Sequence, residues 1–243
     1  MQERAARAQP ALYHLDADGW WLRHAPRCSW WVGATLPHGA VGAGELAGRV
    51  GEVEDFYAAH GTPARFQITP GVCPEGLDSL LAGRGYRREG PVSLRTAVTA
   101  RVAEVPSPGA LRVRVAEHPT RAWFDGWLAV QGHGADPGCE WDLLGRVESP
   151  SAYACALIGD EVVAVGRAVA DTGWAGVFGM GTLPAARGRG AARSVPAALA
   201  GWAGATAAGR MYLQVERGNS AAMRLYVAAG FGEVSAYHYR VAD

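Results

Sequence analysis

The chain has 243 residues, 49% of them hydrophobic, enough for one large core or two small ones, and two units are expected. Its 23 basic residues balance 23 acidic ones, so no global field favours nucleic acid or an anionic membrane, and any anion must be held locally. No stretch approaches the roughly eighteen apolar residues of a membrane span, and the opening MQERAARAQP lacks an apolar run, so neither a span nor a signal peptide is readable and a cytoplasmic soluble protein is expected.

In the first half, Trp20-Trp21 and Trp30-Trp31 send one ring to each side of their strands and are read as filling the core and the contact between halves, the alternative being that one or two of them line a cleft there. Leu46, Val50, Val53 and Phe56 form one helical face. The segment from Ala103 to Leu111, AEVPSPGAL, concentrates proline and glycine, and the boundary is placed there: a first unit over 1–104, a linker over 105–110 and a second unit over 111–243.

The second half opens with the alternating strand LRVRV and a helix whose face carries Trp123, Phe124, Trp127 and Leu128. Three strands follow, joined at Gly159-Asp160 and at Asp171-Thr172-Gly173. Then come a helix from about Gly190 to Ala208, a strand MYLQVE, a helix from about Asn219 to Ala229 and a last strand in FGEVSAYHYRV. This is an α/β chain with helices interleaved around a mixed, mostly antiparallel sheet. Two segments echo across the halves at an offset of about 145 residues: ATLPHG with GTLPAARG, and FQITPGVCPEGLDSLLAGRGY with YLQVERGNSAAMRLYVAAGF.

The cysteines, Cys28, Cys73, Cys139 and Cys155, form no C-x-x-C pair and are read as buried thiols, with no metal site expected. All basic residues are arginine, which removes the P-loop reading, since that motif needs a lysine. A phosphate site is instead expected at TLPAARGRGAARS, from Thr182 to Ser194. A glycine-rich turn feeding a helix exposes backbone N–H groups at the positive end of the helix dipole. Gly188 and Gly190 let the backbone approach an anion, and Arg187 and Arg189 add charge. The alternative is an ordinary glycine-rich loop. A dinucleotide fold is disfavoured because the third position of G-x-G-x-x-G falls on Arg193.

The stretch R-G-R-G-A-A, followed by L-Q-V-E-R-x-N-x-x-A-x-x-L-Y-x-x-x-G-F, resembles the GNAT superfamily of acetyl-CoA-dependent N-acetyltransferases. Arg187, Gly190 and Ala192 meet its R/Q-x-x-G-x-G/A signature, and Asn219 and Tyr226 its Asn-to-Tyr spacing. The resemblance covers roughly Leu111 to Asp243, and the first half resembles the degenerate partner of tandem members. It implies that the backbone of Arg187, Gly188, Arg189, Gly190, Ala191 and Ala192 holds the pyrophosphate of acetyl-CoA. Met180, Gly181 and Thr182 would pair with the pantetheine amides as an added strand. It further implies that Asn219 contacts the pantetheine arm or caps its helix, and that Tyr226 is the general acid.

A backbone N–H at Met180 or Gly181 is the expected oxyanion donor. Where many members carry a glutamate base, this chain has Gln214; Glu216 is the substitute candidate, with Glu140, Asp142 and His238 behind it. The expected activity is transfer of acetyl to a primary amine on a peptide N-terminus or a small molecule, without metal, nucleic acid or membrane. The alternative is a catalytically silent CoA-binding sensor or scaffold.

Overall fold

The computed structural model describes residues 1–42, 44–106, 111–131 and 135–243. Of the expected linker at 105–110, residues 107–110 lie outside the described residues. The elements run α1 (Gln2–Ala8), β1 (Tyr13–Ala17), β2 (Trp20–His24), β3 (Leu36–Pro37), α2 (Leu46–Ala59), β4 (Arg65–Ile68), α3 (Leu77–Gly83), β5 (Arg87–Val98) and α4 (Thr99–Ala103). They continue with β6 (Arg112–Ala116), α5 (Arg121–Gln131), α6 (Pro137–Gly145), β7 (Ser151–Ile158), β8 (Glu161–Asp171), β9 (Trp174–Thr182), α7 (Ala191–Ala205), β10 (Arg210–Glu216), α8 (Ser220–Ala228) and β11 (Gly232–Val241). None of the described helices is long and apolar enough to cross a membrane.

Two compact units result. One comprises Met1–Ser93, Glu216–Gly218 and Ser235–Asp243, the other Leu94–Val215 and Asn219–Val234. In the first unit β1 and β2 form an antiparallel hairpin, with β3 added to β2. Trp20, Val50, Val53, Tyr57, Phe66, Leu77 and Leu81 make its core. The end of β11 pairs antiparallel with β4, from His238 opposite Ile68 to Val241 opposite Arg65. Alternating hydrophobicity identifies such a strand but not its partner, so sequence alone assigned all of β11 to the second half.

In the second unit β6, β7, β8 and β9 run antiparallel and β10 joins β9 in parallel, a mixed sheet with helices packed on it. Ala152, Ala154, Ala156, Ala164 and Ala168 form a core cluster with Val195, Leu199, Ala200 and Ala203 of α7. Small side chains on both partners let the helix approach closely. On α5, Trp123 is buried, donates from Nε1 to the Gly166 carbonyl at 2.9 Å and meets Tyr153 edge to face. The reading of four thiols holds for Cys73 and Cys155, each pushed to about 11 by burial. It fails for Cys28 and for Cys139, each of which is disulfide-bonded.

Gly176 of β9 lies opposite Tyr212 of β10, and a Cβ there would stand 2.5 Å from the Tyr212 ring and 2.6 Å from that of Phe178. Rings held in a packed sheet do not yield as a flexible side chain does. Gly176→Val is therefore expected to lower stability by about 1–3 kcal/mol, read as a fall in Tm. An unchanged Tm would contradict this packing.

Candidate active site

The geometry of the site begins where two strands part. Parallel pairing of β9 with β10 runs from Trp174 opposite Arg210 to Val177 opposite Leu213 and stops, although both strands continue. On its other side β9 carries a bulge: Val165 faces Gly181, but Arg167 faces Phe178, so β9 has one residue more. Gly179 takes φ +58° there, a value glycine adopts without strain. Beyond the bulge, Met180, Gly181 and Thr182 line a cleft of about 860 Å³.

Pro184 opens a short turn over Pro184–Ala186, after which Gly188 and Gly190 adopt φ +76° and +86° and the chain enters α7. The Arg187 N–H donates to the Pro184 carbonyl at 3.2 Å, and the Arg193 and Ser194 N–H groups to the Gly190 carbonyl at 2.9 and 3.2 Å. The N–H groups of Gly188, Arg189, Gly190, Ala191 and Ala192 have no backbone acceptor among the described residues. The free donor set is thus one residue shorter than the expected Arg187–Ala192 run. Arg187, Arg189 and Arg193 border this helix end and Arg224 comes from α8, while among the described residues no carboxylate lines the cleft. Four guanidinium groups and a helix N-terminus make the cleft a site for a polyanion.

All the expected cofactor residues, Met180, Gly181, Thr182, Arg187, Gly188, Arg189, Gly190, Ala191, Ala192, Asn219 and Tyr226, line this one cleft. Asn219 also caps α8, its Oδ1 accepting from the Ala222 N–H at 3.1 Å. The seven-residue spacing brings Asn219 and Tyr226, two turns apart, to the same wall. Tyr226 is buried, packs edge to face against Phe231 and is pushed to about 12 by burial.

Glu216 is exposed at the end of β10, groups with the first unit and does not line the cleft. Glu140 is buried on α6, where its charge acts on Arg167, and Asp142 is exposed. His238 of the first unit bonds Asp78 at 2.9 Å, and burial is the main cause lowering its pKa. Gln214 is half-buried. None of these five residues enters the cleft lining.

The sequence reading missed Val130, Gln131 and Arg224. Gln131 donates from Nε2 to the Met180 carbonyl at 2.7 Å, and a Cβ on Gly181 would meet Val130 at 3.1 Å. Both contacts span some fifty residues of chain, and no local pattern announces them. Among the described residues no group of three or more His, Cys, Asp or Glu is placed to hold a metal.

Residues 114–231 match the model of the Acetyltransferase (GNAT) family. The uncharacterized N-acetyltransferase YobR of Bacillus subtilis (strain 168) is 27% identical over 98% of this chain and 96% of its own. A GCN5-related N-acetyltransferase from Kribbella flavida shares the fold at a TM-score of 0.75 and 17% identity, covering 98% of this chain and 94% of that one. A tandem GNAT protein from the clavulanic acid biosynthesis pathway does so at 0.64 and 11%, over 91% of this chain and 73% of that one. Residues 114–231 thus form a GNAT-type acetyltransferase domain, the stretch that the family model covers.

The Tyr226 phenol offers a direct check on the site's burial. Its folded value of about 12 lies above the unfolded value of about 10, so its contribution to stability is complete below pH 10 and lost as pH rises through 12. The ultraviolet phenolate titration of the wild type minus that of Tyr226→Phe should have its midpoint near 12. A midpoint near 10 would place this phenol in water.

Proposed function

We propose that the second unit transfers an acetyl group from acetyl-CoA to a primary amine, on a peptide N-terminus or an amine-bearing small molecule, by direct attack on the thioester. The observation that carries this is a cleft in which, among the described residues, no carboxylate stands and N–H groups without a backbone acceptor, four arginines, the free edge of β9 and Tyr226 meet. Acetyl-CoA supplies the activated acyl group and a thiol leaving group. The N–H groups from Gly188 to Ala192 fit its pyrophosphate, with Arg187, Arg189, Arg193 and Arg224 neutralising charge. Met180, Gly181 and Thr182 fit the pantetheine amides. The Met180 carbonyl already holds the Gln131 amide, so an incoming N–H shares that oxygen or displaces the side chain. Asn219 retains its amide N–H groups for the same arm while its oxygen caps α8.

An N–H at Met180 or Gly181 is the proposed oxyanion donor. Tyr226 is the proposed general acid, and its raised pKa defines how it acts. A phenol near 12 stays protonated at neutral pH, but full transfer to a thiolate near 8.5 is uphill. Tyr226 therefore stabilises the departing sulfur mainly by donating a hydrogen bond as charge develops, with the proton lost by the amine completing the balance. Gln214 cannot take that proton, and the base candidate Glu216 is not in the cleft; an α-amine with a pKa near 8 needs little help, since a fair fraction is already neutral. The missing carboxylate is also what favours the second reading, a silent CoA-binding sensor, which would bind the donor without turnover.

We further read the chain as a tandem protein: a degenerate GNAT-like unit over 1–104 and a catalytic one over 111–243. The 145-residue offset supports this. Helix α2 starts at Leu46 and α7 at Ala191, 145 apart. After α3 and α8 the same turn recurs, with glycine at φ +87° (Gly85) and +89° (Gly230). The Tyr86 N–H bonds the Leu81 carbonyl at 3.0 Å, and the Phe231 N–H bonds the Tyr226 carbonyl at 2.9 Å. At the same offset the first unit has Glu45 for Gly190, Pro74 for Asn219 and the fully buried Leu81 for Tyr226. A carboxylate at the helix start repels an anion, so one acetyl-CoA per chain is expected.

Gly190→Glu gives the second unit what the first carries at Glu45 and should abolish acetyl-CoA binding in calorimetry; unchanged affinity in folded protein would refute the site. Tyr226→Phe should keep the affinity and lower kcat by about 10²-fold. Thiol release from acetyl-CoA across a panel of amines and peptides separates enzyme from sensor: binding with no turnover on any acceptor would favour the sensor.

A further inference from the structure

The hairpin of β1 and β2 is closed by Asp18 and Gly19, with φ +48° and +86°, the two-residue turn with left-handed backbone at both positions. In such a hairpin the flanking residues, Ala17 and Trp20, are a hydrogen-bonded pair. The backbone groups of Tyr13, Leu15 and Ala17 thus face β2, and those of His14 and Asp16 face outward. Among the described residues no strand pairs with that outer edge.

The side chains tell the same story. Tyr13, Leu15 and Ala17 lie opposite His24, Leu22 and Trp20 and share their face. On β2 that face is core, with Trp20 1%, Leu22 3% and His24 6% exposed, whereas on β1 Tyr13 and Leu15 are 49% and 50% exposed. A core face continues onto an edge strand and loses its cover there. The usual protections of an edge, a lysine, a proline or a bulge, are absent from β1.

We propose that β1 pairs antiparallel with β1 of a second copy, about a two-fold axis through Leu15. The sequence YHLDA is self-complementary in that register. Leu15 meets Leu15 of the second copy, Tyr13 covers Ala17, and His14 stands opposite Asp16 twice. The His14–Asp16 pairs are the ones whose N–H and C=O groups point outward, so two hydrogen-bonded pairs form with no shift of either hairpin. They also place imidazole beside carboxylate on one face. The Asp16 Oδ1 already accepts from the Gly19 N–H at 2.9 Å, which fixes the carboxylate and leaves its other oxygen for His14. A foreign strand could use the outward N–H and C=O groups but would not reproduce the charge and apolar match; the occupant is this chain itself.

Sedimentation equilibrium of the full chain over about 1–100 μM should show a monomer–dimer equilibrium. Leu15→Lys puts like charges on the axis and His14→Glu sets carboxylate against Asp16; both sites are exposed, and each should weaken association at least tenfold. Combining His14→Asp with Asp16→His restores opposite partners and should recover it. Under mild oxidation Leu15→Cys should cross-link into dimers, while Tyr13→Cys should not, because four residues of strand put equivalent positions about 14 Å apart, beyond the roughly 7 Å a disulfide spans. A monomer throughout the range, a dimer indifferent to both charge variants, or equal cross-linking at Tyr13 and Leu15 would overturn the proposal.

Discussion

The site depends on an unsatisfied backbone. Between the Arg187 N–H, which bonds Pro184, and the Arg193 N–H, which bonds Gly190, five consecutive N–H groups lack a backbone acceptor among the described residues. Two left-handed glycines, Gly188 and Gly190, hold the chain in that conformation and then release it into α7. Such an end attracts negative charge through the peptide dipoles and four guanidinium groups. The alanine-on-alanine packing of α7 against the sheet fixes where that end points. The parting of β9 from β10 after Val177 leaves the space in front of it.

In the proposed function, a bulge in β9 and a residue of α8 equip that anion site for chemistry. The bulge at Gly179 brings Met180, Gly181 and Thr182 to the cleft with a free strand edge. Helix α8 supplies Tyr226 to the same cleft, anchored by the Asn219 cap and by the turn at Gly230. Burial makes Tyr226 a weaker acid than a phenol in water, which makes it a hydrogen-bond donor rather than a store of charge.

Much of this was legible in the sequence because it is local. The turns at Gly159-Asp160 and Asp171-Thr172-Gly173, the glycine-rich start of α7 and the seven-residue step from Asn219 to Tyr226 are written within single elements. The unread part is non-local. Arg224 and Gln131 reach the cleft only after helices dock on the sheet, and the tail of β11 finds β4 through pairing that period-two hydrophobicity does not encode. The oxidised state of Cys28 and Cys139 likewise depends on fold. Glu216 shows the converse error, since side-chain alternation along β10 placed it beside Gln214 on the catalytic face, yet it groups with the first unit and lies outside the cleft.

The central claim, that these backbone N–H groups grip the pyrophosphate of acetyl-CoA, can be observed atom by atom. In an amide-resolved nuclear magnetic resonance titration with acetyl-CoA, the account predicts the largest downfield shifts at Gly188, Arg189, Gly190, Ala191 and Ala192, with the Arg187 amide, already bonded to Pro184, moving less. Saturation with those five amides unmoved, or with the principal shifts in the α2 turn near Glu45, would contradict it.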